Sequence, residues 1–391
     1  MLVEVRRLKK VVLLKGESNY NVLRYWMDAL AKELEKKGIE TIVLDVKYSV
    51  NDQVITLLSL DVDAVISFNG LFLENKEIIE KVIKAPYIYL LIDHPIDHLG
   101  RIENLRPQDI LTVMDRNDVN NLENFGLNIS NTYMLPHAAI ELSVERVEKT
   151  IGILVSGSYS DMTTYTKYIE NQSPAIFAIC KEVIDNCLED SRKYYIDEFL
   201  QAFAKRGVSI DLRLNENPEI IKLVLEIGRY IYSVNRLRVV TALADEGLPI
   251  SIYGKGWEDS PLMNYPNVII HKSVNYWQTQ ELMRQAKVVI SFQALLRDGT
   301  HERVFAGMAA RSVVVTNETP YLREQFTENE ELLFYNFNDL GAMVEAVQAI
   351  LKDDEKREKM SEAAWQAIKG AHTFEERAQS IIDIFNDVKV H

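Results

Sequence analysis

Cysteine is nearly absent from this chain: there are two among 391 residues, Cys180 and Cys187. Both fall in a stretch that reads as helix. Their seven-residue spacing puts them near one helical face but about 10 Å apart, too far to bond to each other within a straight helix. A disulfide-stapled secreted scaffold is therefore excluded, and the two read as reduced structural thiols. Long apolar runs are missing as well. None approaches the roughly 18 residues a membrane span needs, so no integral membrane segment is expected. The basic opening Met1-Leu2-Val3-Glu4-Val5-Arg6-Arg7-Leu8-Lys9-Lys10 leads straight into a strand. It lacks the longer apolar core and small-residue cleavage site of a signal peptide, and the expected location is cytoplasmic. Positive charge is in deficit, 44 Lys and Arg against 58 Asp and Glu, for a net charge of −14. That balance argues against a nucleic-acid partner, and an anionic ligand must be held by a few local cations rather than by the overall field. No Gly-x-Gly-x-x-Gly follows the first strand, only Gly16-Glu17-Ser18-Asn19, an acceptor-side type of loop. A dinucleotide-dependent dehydrogenase would want those phosphate glycines.

What the chain does have is alternation. Val11-Val12-Leu13-Leu14, Thr41-Ile42-Val43-Leu44, Ala64-Val65-Ile66-Ser67-Phe68, Tyr87 to Ile92 and Ile110 to Met114 are short apolar runs separated by helical or polar sequence. Continuous apolar strands alternating with helices predict a parallel sheet buried on both faces. Residues 1–140 thus form one Rossmann-like domain, and a charged connection over 141–150 leads to a second over 151–372. Its strands are Ile151 to Val155, Ile250 to Tyr253, Val268 to Ile270, Val288 to Ser291 and Val313 to Thr316. Between about residues 160 and 243 the apolar spacing is helical and longer than one crossover needs, which predicts an inserted helical subdomain. A last helix over 373–391, with His372-Thr373 capping ahead of Glu375 and Glu376, is expected to pack back toward the N-terminal domain. The fold class is α/β, two doubly wound domains with a helical insertion in the second.

Chemistry concentrates in the second domain. Gly254-Lys255-Gly256-Trp257 ends one strand, and some forty residues later Ser291-Phe292-Gln293 leads through Asp298-Gly299-Thr300-His301 to Glu302-Arg303-Val304-Phe305. A glycine turn at a strand end lets backbone N–H groups approach a pyrophosphate, and a second strand delivers charged side chains to the same edge. These residues are followed in order by Ala309-Ala310, Val314-Val315-Thr316-Asn317, Glu331-Leu332-Leu333-Phe334-Tyr335 and His372-Thr373-Phe374-Glu375-Glu376-Arg377-Ala378. The pattern resembles the CgeB-like spore-maturation glycosyltransferases of the GT-B superfamily, most clearly in the C-terminal half. In the N-terminal half, Leu91-Ile92-Asp93-His94-Pro95 is similar to that family's aspartate-proline turn.

The resemblance implies two Rossmann-like domains facing a cleft, and a nucleotide-sugar donor, a uridine diphosphate (UDP) sugar, as co-substrate. It implies no further cofactor and no metal, and a hydroxyl of a glycan or protein as acceptor. Arg303 and Lys255 would hold the diphosphate, while Asp298 and Glu302 would orient donor sugar and ribose. Ser156-Gly157-Ser158, Gly254, Gly256, Trp257, Gly299 and Thr316-Asn317 would line the donor site. Asp93 or His94 would activate or position the acceptor. Asp97 and His98 follow closely, but Pro95 breaks a regular helix there and argues against a metal site.

Two positions depart from the family pattern. Related enzymes carry a second glutamate eight positions after the first acidic residue, where this chain has Ala306, and a glycine where it has Arg311; Glu302, one helical turn before Ala306, is placed to compensate. His137 reads as a hinge residue, and Arg229, Arg236 and Arg238 as a solvated cationic helix face. A homo-oligomer is open. Two other readings stand beside the transferase: a nucleotide-sugar epimerase or hydrolase, and a non-catalytic homologue that binds glycan or protein.

Overall fold

The computed structural model describes residues 7–48, 55, 58–140, 144–214, 216–293 and 295–388. The chain divides into two compact units, Met1–Glu141 with Lys369–His391, and Leu142–Ile368.

The first unit holds a six-stranded, wholly parallel sheet. Its strands are β1 (Lys10–Lys15), β2 (Glu40–Asp45), β3 (Ala64–Phe68), β4 (Tyr87–Leu90), β5 (Ile110–Val113) and β6 (Thr132–Met134), in the order β2-β1-β3-β4-β5-β6. The central strands are apolar at nearly every position because both faces are covered, and Val12, Leu14, Val65, Tyr87, Leu111 and Val113 form part of one buried cluster. The helix Val22–Lys36 buries Trp26, Met27, Leu30, Ala31 and Leu34. The last helix, Phe374–Asp387, belongs to this unit: the Phe374 ring lies 6.4 Å from that of Trp26. A reciprocal cap between Thr373 and Glu376 starts that helix, and Arg377 donates to the carbonyls of Pro136 and His137 at 2.8 and 3.0 Å.

The second unit repeats the plan with β7 (Ile151–Ser156), β8 (Ile250–Tyr253), β9 (Val268–His271), β10 (Ala286–Ser291), β11 (Val313–Asn317) and β12 (Leu333–Tyr335). They run in the order β12-β11-β10-β7-β8-β9, all parallel. Between β7 and β8 stand four helices, Met162–Glu170, Pro174–Glu189, Tyr195–Ala204 and Pro218–Asp245. The last is 28 residues long. Its C-terminal half packs Val239, Val240, Leu243 and Ala244 into the sheet's main core. Cys180 and Cys187 are buried free thiols in this region, which raises them to about 11 and about 12.

Both sheets have the doubly wound form expected. The short strands β6 and β12, three residues each, were not among the apolar runs the sequence offers. Among the described residues no helix is long and apolar enough to cross a membrane.

Candidate functional site

In the second sheet β7 is flanked by β10 and β8, so the chain reverses direction of winding at the β7–β10 boundary. In open parallel sheets this is where the strand ends leave a crevice for a ligand. Register brings Ser156 and Ser291, the last residues of those two strands, to that boundary. Both side chains are buried, and among the described residues neither Oγ has a hydrogen-bond partner.

The loop leaving β7 is held from the β8 side. Gly157 N–H donates to Tyr253 O at 2.9 Å, Tyr159 N–H to Lys255 O at 2.8 Å, and the Trp257 indole N–H to Gly157 O at 2.8 Å. The Trp257 ring stacks on Tyr159 with centroids 4.9 Å apart. A Cβ on Gly254 would fall 2.1 Å from Gly157 O, so glycine is required there for one loop to lie on the next. Gly254 and Gly256 lie against the backbone of residues 157–159, and Trp257, expected to line the donor site, is at 0% exposure and instead holds that loop with its indole N–H. Lys255 and Ser158 keep exposed side chains on this rim.

Two guanidinium groups meet the same loop. Arg303 stands in the first turn of the helix Glu302–Ala309, and its Nη2 would be 2.9 Å from a Cβ on Gly157, whose φ is +119°. Its Nη1 is buried and has no partner among the described residues. Arg236, on the long helix, donates to Ser158 O and to the Tyr232 hydroxyl and stacks over the rings of Tyr232 and Phe292 at 4.4 and 4.9 Å. Its Nε also lacks a partner. Burial, and next the charge of Arg303, pull the Arg236 guanidinium down to about 9, so it remains cationic at neutral pH. Arg236 is 6% exposed, which corrects the solvated face read for it: the loop after β7 at Ser158 and Phe292 after β10 lie against this side of the helix. Arg229, two turns earlier, does stand exposed beside Glu226.

The segment between β10 and the helix Glu302–Ala309 is pinned by Gln293. Its amide donates to Thr316 Oγ1 at 2.6 Å and its carbonyl accepts from His301 N–H at 2.7 Å, while its own N–H donates to Asn317 Oδ1 at 2.9 Å. Thr316 is therefore a fully buried support, whereas Asn317 reaches the pocket described below. Gly299 O accepts from Thr319 Oγ1 at 2.8 Å, and Thr319 caps the helix Pro320–Gln325. Asp298 is half-buried in this segment. Glu302 lies against His301 and 3.9 Å from Arg303, its side chain 15% exposed. Burial lowers the His301 pKa, only partly opposed by Glu302. Ala306 packs with Leu154, Met283, Ala286, Val289 and Ala310, so that position looks into the core and not toward Arg303's surroundings.

Beside Arg236 opens a pocket of ≈ 640 Å³, solvent at its mouth included. Its walls include Tyr194, Tyr195, Tyr232, Phe292, Arg297 and Asn317. Tyr194 and Tyr195 come from the helical insertion. Aromatic walls with a few convergent polar groups are the usual composition of a small-molecule site.

In the first unit, Asp93 and His94 follow β4 but have different surroundings. The Asp93 side chain is 54% exposed and accepts from Asn69 Nδ2 at 2.7 Å, with His98 Nε2 3.3 Å away. Burial works to raise its carboxyl, but His98, Asn69 and His137 outweigh that and hold it below its ordinary value. His94 is buried. Its Nδ1 accepts from Ile96 N–H at 3.2 Å, capping the turn Pro95–Asp97, and its Nε2 lies 3.8 Å from Asp118. Burial lowers it to about 4. His137 is also buried, against the Trp26 ring at 4.8 Å. His98 was passed over as an Asp93 partner because Pro95 hides the return of the chain. Among the described residues no three His, Cys, Asp or Glu side chains gather to hold a metal ion.

A family model described as glycosyl transferase-like matches residues 236–383, from Arg236 through the segment carrying Arg303. No curated protein matches the sequence. Among solved structures, *Anabaena* Alr3699/HepE in complex with UDP-glucose is similar at 9% identity and TM-score 0.59, over 97% of this chain and 100% of that one. Sucrose-phosphate synthase (tll1590) from *Thermosynechococcus elongatus* is similar at 9% identity and TM-score 0.57, over 95% and 97%. The DNA-modifying enzyme beta-glucosyltransferase follows at 14% identity and TM-score 0.56, over 97% and 99%. This chain spans only 55% of the length of TarM, another match. The likeness establishes the fold, the two Rossmann-like domains of the GT-B architecture.

Proposed function

We propose that this protein is a glycosyltransferase that moves a hexose or related sugar from a nucleoside-diphosphate donor, with uridine as the base, to a hydroxyl of a glycan or protein. The observation that carries the proposal is the set of buried polar atoms without partners at the β7–β10 strand ends: Arg303 Nη1, Arg236 Nε, Ser156 Oγ and Ser291 Oγ. Two cations and two hydroxyls with unused hydrogen-bonding capacity match the oxygens of a diphosphate, and leaving such groups unmatched costs about 1–3 kcal/mol each. The glycosyl transferase-like match, which covers Arg236, Ser291 and Arg303, supports the reaction class. UDP-glucose bound to a neighbour of the same fold supports the choice of base.

In this reading the acceptor oxygen bonds to the anomeric carbon as that carbon's bond to the diphosphate oxygen breaks, and the nucleoside diphosphate leaves with the bonding electrons. Arg303 and Arg236, helped by Lys255, stabilise the charge that develops on it. They do the work that a divalent ion does elsewhere, so the reaction is proposed to be metal-independent. Glu302 and Asp298 orient the sugar and ribose, with Gly157, Ser158 and Asn317 as donor-site lining. The nucleoside takes the aromatic pocket beside Arg236. Asp93, ionised and braced by Asn69 and His98, takes the acceptor's proton. The CgeB-like enzymes are the relatives we propose within the fold, and the cytoplasm, where nucleotide sugars and reduced thiols occur together, is the proposed location. The net charge of −14 favours a glycan or protein over DNA as acceptor.

Titration calorimetry with UDP tests the proposal. Wild type is expected to bind saturably and Arg303→Ala about 100-fold more weakly, roughly 2.7 kcal/mol, with no loss of melting temperature because a like-charge neighbour of Arg236 has been removed. Equal affinity in the two proteins would take Arg303 out of the site and the proposal with it.

A further inference from the structure

At the opposite, amino-terminal edge of the second sheet lies another open pocket, of ≈ 500 Å³, lined by Arg146, Lys149, Arg284, Arg311 and Arg357 with Glu145 and Glu358. Lys149 stands just before β7, Arg284 just before β10 and Arg311 just before β11. Three strand starts and the helix Asp354–Ile368 therefore aim five cations at one space.

Most of these cations have a carboxylate. Arg146 meets Glu358 and Glu362 at 3.4 and 2.8 Å, Arg284 meets Glu281 at 3.2 Å, Arg357 meets Asp354 at 2.5 Å, and Arg311 pairs with Glu362. Lys149 differs: among the described residues its Nζ donates only to Ala310 O at 3.4 Å and Ser312 Oγ at 3.2 Å. Among the described residues the buried Arg284 Nε has no partner. Burial, then the charges of Arg357, Arg284 and Arg311, pull Lys149 down to about 7.

Arg311 adds an independent sign. It closes the helix Glu302–Ala309 in a left-handed conformation, φ +57°, with Ser312 N–H donating back to Gly307 O at 3.1 Å. Glycine takes that place without strain, whereas a residue with a Cβ is strained there. The chain accepts this and sets the guanidinium over the Trp365 ring at 4.2 Å. A cation is thus kept, at an energetic cost, on the wall of a pocket that Arg146, Lys149, Arg284 and Arg357 also line.

We propose that this pocket binds a phosphate group, as the free anion or as a small phosphate monoester, at a site separate from the β7–β10 strand ends. The Lys149 ammonium and the Arg284 Nε–H supply charge-assisted donors, and Arg311 and Arg357 supply the surrounding field. The dianion relieves the mutual repulsion of Lys149 and its three arginine neighbours.

Titration calorimetry on the full chain with sodium phosphate and with glycerol 3-phosphate, at ionic strength matched with chloride, tests the assignment. Saturable binding is expected in wild type and, within about twofold, in Arg303→Ala. It is expected to weaken about tenfold or more in Lys149→Met and in Arg284→Gln, the loss of one charge-assisted hydrogen bond each. Arg284, with a side chain 30% exposed, serves as the variant that folds if Lys149→Met does not. Tighter binding of glycerol 3-phosphate supports an organic monoester as occupant, and equal affinity supports the free anion. Absence of saturable binding for both probes overturns the assignment. So does binding that survives both pocket variants, or binding lost with Arg303.

Discussion

At the end of β4 in the first unit, the Asp93 carboxylate is met by Asn69 at 2.7 Å and His98 at 3.3 Å, whereas at the end of β7 in the second unit Arg303 Nη1 and Arg236 Nε are buried with no acceptor among the described residues. The two sheets are wound alike and bury similar apolar strands, so the difference does not come from the scaffold. A carboxylate with its partners in place is ready to exchange a proton without anything else bound. Buried guanidinium groups that each keep one N–H without an acceptor are poised to take an anion, which supplies what the protein leaves unmatched. The first arrangement suits a group that turns over, the second a group that grips.

That contrast is broken most directly at Asp93. Asp93→Asn keeps the shape and the Asn69 and His98 neighbours but removes the proton acceptor, so turnover should fall about 10²–10⁴-fold while UDP affinity stays within about twofold. His94→Asn should do the reverse, leaving turnover near wild type and lowering the melting temperature, because His94 caps a buried turn. Steady-state rates and melting curves of the two variants separate the roles. Equal loss of turnover in both would mean that the loop's shape, and not the Asp93 carboxylate, is what matters.

The hundredfold loss of UDP affinity expected for Arg303→Ala is next in size, and Gly157→Ala sharpens it. The new Cβ would sit 2.9 Å from Arg303 Nη2, at the flexible end of a long side chain, and φ +119° adds backbone strain of about 1–3 kcal/mol. UDP affinity should drop about tenfold as the guanidinium is pushed aside, with a modest fall in melting temperature. Gly254→Ala meets backbone at 2.1 Å instead and should cost more stability than Gly157→Ala. If the two alanine variants melt alike, the picture of one loop resting on the other is wrong.

What the sequence made legible follows from which interactions are local. The apolar runs that become β1, β3, β7 and β10 are buried on both faces, so their composition alone declares them, and the Thr373–Glu376 cap lies within four residues. β6 and β12 are three-residue strands at sheet edges, too short to show a pattern. Arg303 was legible from its motif. Arg236 was not, because helical spacing reports which residues share a face but not that loops from β7 and β10, distant in sequence, come to lie on that face. The glycines of Gly254-Lys255-Gly256 announced a close backbone approach correctly, yet nothing local says whether the approaching group is a phosphate or the neighbouring loop. Ala306 and Arg311, odd by family pattern, divide the same way: the first is explained by the core cluster around it, the second by a pocket assembled from four distant segments.

The last prediction concerns that pocket, at the amino edge of the second unit's sheet, where among the described residues Lys149 donates only to Ala310 O and Ser312 Oγ. Lys149 has its folded pKa lowered to about 7 by burial and by Arg357, Arg284 and Arg311, while in the unfolded chain it returns to about 10.4. Below about pH 7 both states carry the proton, and the folded state bears the full penalty of a buried, repelled charge. As pH rises from about 7 toward 10 the unfolded chain holds a proton the folded one has released, so folding stability rises. Lys149→Met removes the group. Its melting temperature relative to wild type should be highest near about pH 6 and decline toward about pH 9. The lost hydrogen bonds to Ala310 and Ser312 add an offset that does not vary with pH, so the slope is the readout. Phosphate should flatten that slope in wild type by restoring a partner to the ammonium. A slope of the opposite sign would mean that Glu145 and Glu358, which also line the pocket, already neutralise Lys149, and that the pocket is complete as it stands.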